Sequence, residues 1–270
     1  MLTIAARAGV LVATLLTLAS CLSTNAAFQT RSLGSSRYVD PQMVTAMLFT
    51  PQGKGPFPAV VLLHTCGGPS PHVTQDWPDY LTGLGYAVLT VDSYGPRGFT
   101  SCSRMGYLRY LVQAEDALGA LDYLATVPSV DANRVAAIGF SAGAIAINDN
   151  LVNYRPQGRF YRALIALYGR CTNIFGHGRD SVPLMEIAAE HDVNHAPSCI
   201  EAGKTWPSME VRVLPGAYHS FDSDHRGGRY DTGGSYMLYS ASATAQARAL
   251  VKDFLARHLA EKGPTARAAP

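Results

Sequence analysis

Ala136-Ala137-Ile138-Gly139-Phe140-Ser141-Ala142-Gly143-Ala144-Ile145-Ala146 is the stretch on which the reading of this chain turns. Its apolar first half has the character of a buried strand, and its small-residue second half that of a helix packed close behind it. Between them Gly139, Ser141 and Gly143 fit G-x-S-x-G, the nucleophile-elbow pattern. There the glycines let strand and helix approach while the serine stands on a strained, exposed turn. Five residues with two glycines also occur in ordinary turns. What separates the readings is context: a strand before, a helix after, and partner residues downstream.

Outward from this stretch, apolar runs alternate with helical patterns. Strands are expected at Met43 to Phe49, Ala59 to His64, Tyr86 to Val91, Arg134 to Gly139, Ala163 to Tyr168, Pro183 to Ala189 and Glu210 to Leu214. Helices are expected at Trp77 to Leu84, Tyr107 to Ala125, Ala142 to about Val152 and about Ser240 to Ala260. The alternation predicts one α/β domain, a mostly parallel central sheet with helices on both faces. In such sheets active sites gather beyond the carboxyl ends of the strands. With 270 residues, 47% of them hydrophobic and 16% charged, the chain is long enough for one large core. Its 22 Lys+Arg and 20 Asp+Glu are spread without blocks and leave no electrostatic footprint for nucleic acid.

The first twenty residues read as an export signal. Arg7 lies in a short polar region, Val10 to Leu18 is apolar but too short to span a bilayer, and small residues follow. The segment ends Leu18-Ala19-Ser20-Cys21, which resembles the lipobox of bacterial lipoproteins, with Cys21 as the acylated mature N-terminus. An ordinary signal peptide cleaved near Ala26 or Ala27 is the alternative. Acylation would anchor the protein to a membrane without spanning it, and Leu22 after Cys21 implies the periplasmic side of an outer membrane. The expected organisation is then a leader over residues 1–20, a tether over 21–37, a folded domain over 38–262 and a disordered tail over 263–270.

Export leaves Cys66, Cys102, Cys171 and Cys199, an even set in an oxidising compartment. Of the three pairings, Cys66–Cys102 and Cys171–Cys199 are favoured, since each joins loops that follow neighbouring strands at one end of the sheet. Four unpaired buried cysteines are the alternative. The spacings are irregular and no C-x-x-C pair occurs, so no metal is expected.

A serine hydroxyl needs a base within hydrogen-bond reach and a third group to orient that base. Downstream of Ser141, strand ends offer Glu190-His191-Asp192 and then Pro215-Gly216-Ala217-Tyr218-His219. The order Ser, acid, His matches the hydrolase layout. Ser141 is thus the candidate nucleophile, His219 the general base and Asp192 the orienting acid. Glu190 is the rival acid, read instead as a loop brace, and His225 is a rival base in a Gly- and charge-rich loop. His191 and His195, four apart, have a metal-ligand spacing, but Pro197 makes a long helix doubtful and a surface or loop role is expected. For the oxyanion, the donors expected are the N–H groups of Ala142 and of Cys66 in His64-Thr65-Cys66-Gly67-Gly68. Cys66 as nucleophile with His64 as base is disfavoured, because residues two apart at this strand end do not converge.

Taken together, His64-Thr65-Cys66-Gly67-Gly68, Asp92-Ser93-Tyr94-Gly95-Pro96-Arg97-Gly98 with Cys102, Gly139-Phe140-Ser141-Ala142-Gly143, Asp192 and His219-Ser220-Phe221 resemble the dienelactone hydrolase family of the α/β-hydrolase superfamily, particularly its exported members. The resemblance covers roughly Val39 to Leu259 and implies an α/β-hydrolase fold. It departs in having Ser141 where the enzymes that name the family carry cysteine, and Thr65 where relatives often have glycine. Arg97 is read as a loop brace through Asp92 or backbone carbonyls, with substrate binding, together with Tyr94, as the other role. Ser223 to Ser235 is expected to form a mobile rim. The function expected is hydrolysis of a small ester, thioester or lactone through an acyl-enzyme, with no cofactor. A catalytically silent fold used for binding at the cell envelope is the alternative.

Overall fold

The apolar runs pair as one eight-stranded sheet in a computed structural model that describes residues 21–33, 43–106, 108–154, 160–174, 182–206, 208–224, 228–231 and 233–261. The strands are β1 (Leu22–Gln29), β2 (Met43–Thr50), β3 (Phe57–Leu63), β4 (Ala87–Asp92), β5 (Val130–Phe140), β6 (Ala163–Leu167), β7 (Leu184–Ala189) and β8 (Met209–Leu214). Their spatial order is β1-β2-β4-β3-β5-β6-β7-β8. β2 runs antiparallel to both β1 and β4, and every other pairing is parallel. The helices are α1 (Trp77–Gly83), α2 (Leu108–Leu124), α3 (Ala142–Ala146), α4 (Ala196–Thr205) and α5 (Ala241–Leu259). This is the α/β-hydrolase arrangement that the resemblance implies.

Side chains alternate across a strand, so a central strand must be apolar on both faces. Val61 and Leu63 of β3, with Val135 and Ala137 of β5, join Leu118 and Leu121 of α2 in one core. Val60 and Leu62, with Ala136 and Ile138, join Trp77 of α1 and Phe254 of α5 in the other. The strand ends carrying the candidate site therefore project from a sheet packed on both sides. Among the described residues no helix is long and apolar enough to cross a membrane.

Two expectations are corrected here. The tether expected over 21–37 is in part a strand: β1 pairs with β2 in unbroken register from Leu22 opposite Thr50 to Gln29 opposite Met43. Phe28 of β1 is buried and stacks on Tyr123 at 5.6 Å, and the Arg31 N–H donates to the Glu115 carbonyl at 3.1 Å. An edge strand with only Ala26 and Phe28 buried has too little apolar alternation to be read from sequence. Secondly, Pro197 does not prevent a helix. It lies in the first turn of α4, where its missing N–H would have had no intrahelical partner. Within the expected rim, β9 (Arg229–Tyr230) pairs with β10 (Tyr236–Met237), which lies just beyond it, and a bridge joins His219 to Met237. The leader 1–20, residues 34–37, His225 and the tail 263–270 lie outside the described residues.

Candidate active site

The elbow is built by close backbone approach. A Cβ on Gly139 would lie 2.3 Å from the Gly143 carbonyl oxygen, and one on Gly143 would lie 2.3 Å from that of Leu63, so neither position accepts a side chain. Ser141 between them adopts φ 52° and ψ −104°, a conformation that costs on the order of 1–3 kcal/mol and persists only where the surroundings impose it. Here they do: the Ser141 N–H donates to the Leu167 carbonyl at 3.1 Å, and that of Gly143 to His64 at 3.1 Å.

The structure brings Ser141, His219 and Asp192 into one line. Ser141 Oγ donates to His219 Nε2 at 2.9 Å, and His219 Nδ1 donates to Asp192 Oδ2 at 2.6 Å. The side chains of His219 and Asp192 are each 1% exposed. Burial alone would raise the Asp192 carboxyl, but hydrogen bonds from His195 and His219 outweigh it and hold the group well below the usual carboxylate range. The loop after β8 is locked in turn. Asp222, buried, accepts from Trp77 Nε1 at 2.7 Å and from Tyr168 Oη at 2.8 Å, while the Tyr168 ring meets the His219 ring edge-on at 5.0 Å.

Cys66 and Ala142 both border the cleft at Ser141. Cys66 is bonded to Cys102, whose N–H also donates to the Cys66 carbonyl at 2.8 Å. The second bridge, Cys171–Cys199, ties the segment after β6 to α4. These are the pairings expected from the strand ends. Ala142 is the first residue of α3, so its N–H has no carbonyl a turn earlier to reach.

Other expected residues fall elsewhere. Glu190 accepts from the Gly216 N–H at 2.7 Å and braces the loop, and His64 Nε2 accepts from the Ser93 N–H at 3.1 Å. Arg97 and Tyr94 do not line the cleft, which corrects their candidacy for substrate binding. Arg97, 5% exposed, forms a two-pronged pair with the fully buried Asp116 at 2.8 and 2.9 Å and also donates to the Ser93 carbonyl. Burial pushes the Asp116 carboxyl up to about 6 against the pull of Arg97. Tyr94 is fully buried, its hydroxyl accepting from Gln113 at 2.9 Å. Asp92, read as an alternative partner for Arg97, instead accepts from the N–H groups of Tyr94 and Gly95.

His195, expected in a surface or loop role, sits at the acid. Its Nδ1 lies 3.0 Å from Asp192 Oδ1, and its ring stacks on that of His219 at 5.0 Å. Ser235 Oγ, from the turn between β9 and β10, donates to the same oxygen at 2.9 Å. Asp231 from that turn places Oδ2 3.8 Å from His219 Nε2. The signal for His195 was its place three residues after Asp192 beside a helix-starting proline; Ser235 had none. Although Asp192, His195 and His219 form a group of metal-ligand types, the carboxylate stands between the two Nδ1 atoms and accepts from both. Cys171 and Cys199, grouped likewise with Glu186, are spent on their disulfide.

A cleft of about 300 Å³ opens at Ser141 and His219, lined among others by Thr65, Ser103, Tyr230 and Met237. A larger cavity of about 640 Å³ lies against Cys21, Pro51 and Phe57, away from these residues.

Residues 44–259 match the family model described as Dienelactone hydrolase family. The chain is 36% identical over 104 residues to Esterase FrsA of Klebsiella pneumoniae subsp. pneumoniae, a match covering 37% of this chain and 23% of that protein. It thus spans about a quarter of that relative's length. Among solved structures it resembles a dienelactone hydrolase-like promiscuous phosphotriesterase from metagenomic libraries, with TM-score 0.65, 20% identity and coverage of 88% and 99% of the two chains. It also resembles a thermostable esterase from Pseudomonas putida, with TM-score 0.62, 16% identity and coverage of 90% and 84%. These two structures share the α/β-hydrolase fold, and the match over most of the sequence carries the further step: this chain belongs to the dienelactone hydrolase family.

Proposed function

We propose that this protein is a serine hydrolase cleaving a small carboxylic ester, thioester or lactone. The observation that carries the reading is the continuous hydrogen-bonded line from Ser141 Oγ through His219 to Asp192. His219 takes the Ser141 proton as Oγ attacks the substrate carbonyl, and Asp192 stabilises the imidazolium formed. The tetrahedral oxyanion is held by the N–H groups of Ala142 and Cys66, each worth on the order of 3 kcal/mol. On collapse the imidazolium protonates the leaving group, giving the acyl-enzyme. His219 then takes a proton from water as it attacks the acyl carbonyl, and on collapse the imidazolium returns that proton to Ser141 Oγ, which leaves as the carboxylic acid is released. The small cleft supports short acyl and leaving groups. The test is labelling with a fluorophosphonate and turnover of short p-nitrophenyl esters. Wild type is expected to be labelled and active and Ser141→Ala neither; equal labelling of both overturns the assignment.

We further propose that Cys21 is acylated. Support comes from Leu18-Ala19-Ser20-Cys21 and from β1 beginning at the next residue. Leu22 pairs with Thr50, at the end of the sheet where the parallel strands begin, whereas Ser141, Asp192 and His219 follow strand carboxyl ends. An anchor at Cys21 would turn the cleft away from the membrane. Membrane fractionation and globomycin-sensitive processing are expected for wild type and lost in Cys21→Ser; soluble wild type overturns the anchor.

A further inference from the structure

Asp192 carries more than the bond to the candidate base. Its Oδ2 accepts from His219 Nδ1 at 2.6 Å, while its Oδ1 accepts from His195 Nδ1 at 3.0 Å and from Ser235 Oγ at 2.9 Å. Ser235 Oγ is also 3.2 Å from His195 Nδ1 and accepts from Asn194 Nδ2 at 3.2 Å. The His195 ring lies nearly parallel to that of His219, 28° between planes. His195 is fixed from behind as well: it precedes α4, its N–H reaches the Asp192 carbonyl and its own carbonyl accepts from Ser198 Oγ at 2.8 Å.

We propose that His195 is a positioning residue for the candidate triad, its Nδ1–H donor holding the Asp192 carboxylate in the orientation that meets His219. The inference rests on the hydrolase reading. A carboxylate with one oxygen bonded can rotate about its Cβ–Cγ bond; one bonded at both oxygens by groups from separate segments cannot do so without breaking a bond. In the reaction the Asp192–His219 bond must strengthen as the imidazolium forms, so a fixed carboxylate acts on the chemical step and not on substrate binding. Ser235 serves the same oxygen from the hairpin, and the single N–H of His195 Nδ1 is shared between Asp192 and that hydroxyl.

Asn places its Nδ2 where the His195 Nδ1 stands, so His195→Asn keeps the donor and loses the ring, whereas His195→Ala loses both. Relative to wild type, His195→Ala should lower kcat about 10- to 100-fold, the range of one hydrogen bond to a charged group, with KM changed less than about threefold. His195→Asn should recover most of the kcat. The second readout needs no turnover: the downfield proton resonance of His219 Nδ1–H, assigned by its loss in His219→Gln, should shift or broaden in His195→Ala and persist in His195→Asn. An unchanged resonance in His195→Ala overturns the proposal, as does a kcat within about twofold of wild type in an active enzyme. Loss of kcat in both variants to the same extent, with the resonance gone from both, also overturns it, because the donor would then not be what matters. If wild type neither turns over esters nor takes the fluorophosphonate label, the hydrolase reading fails, and the resonance alone still decides whether His195 positions the pair.

Discussion

Gly143 packs so tightly against Leu63 that a methyl group on its Cα would sit 2.3 Å from the Leu63 carbonyl oxygen. The contact joins the helix behind Ser141 to the strand that leads into the Cys66 loop. Elbow and candidate oxyanion loop are thus set against each other by backbone, not by side chains.

Gly143→Ala is therefore expected to force β3 and α3 apart. Overpacking of this kind costs about 1–3 kcal/mol, and the displaced turn should remove most of the turnover. Thermal unfolding and ester kinetics on the same preparation check this, and a variant with wild-type kcat would contradict the close approach.

Asp222 stands behind His219 by way of Tyr168. Its carboxylate accepts from Trp77 Nε1 and Tyr168 Oη, both on buried residues. Asp222→Ala strands two buried donors, at about 1–3 kcal/mol each. A clear fall in melting temperature is expected, with loss of kcat as the loop carrying His219 loosens.

Glu186 is fully buried on β7, accepting from Asn148 Nδ2 at 3.0 Å and the Gly169 N–H at 2.9 Å. Burial raises its carboxyl from the ordinary 4.5 to about 7. The folded state thus holds this proton more tightly than the unfolded chain. Its contribution to stability is full below the unfolded value of 4.5 and is lost as pH rises through about 7. Glu186→Gln should abolish that dependence. Melting temperatures taken from about pH 4 to about pH 8 should show the variant gaining on wild type as pH rises.

The Cys171–Cys199 bridge closes a separation of 28 residues and holds α4, the helix that His195 precedes. Loop-closure entropy for such a span is roughly 3–4 kcal/mol. The double variant Cys171→Ala with Cys199→Ala should lose about that much in chemical denaturation. A kcat lowered by at least severalfold, with Cys66–Cys102 intact, would show that α4 placement matters to the site.

Ser141, Asp192 and His219 were legible in the sequence because each stands in a turn after an apolar strand, and because elbow chemistry demands glycine on both sides of the serine. The central strands and long helices were legible for the same reason: a buried strand is a run of apolar residues, and a long amphipathic helix repeats its pattern over several turns. Local order of this kind is written in periodicity. β1 was not, since an edge strand needs only Ala26 and Phe28 buried and is held by hydrogen bonds to β2 that any sequence can make.

That His195 also meets Asp192, and which acid meets Arg97, only the tertiary structure decided. Arg97 reaches past Asp92, five residues earlier in the chain, to Asp116 on α2, because Asp92 is already engaged by the backbone N–H groups of Tyr94 and Gly95. Ser235 comes to Asp192 from a hairpin 43 residues away. Such meetings depend on how helices and loops settle over the strand ends, a sum of packing and desolvation across distant segments that no local pattern encodes. The sequence by itself determined a strand-turn-helix elbow with a serine at its tip; folding decided what stands around it.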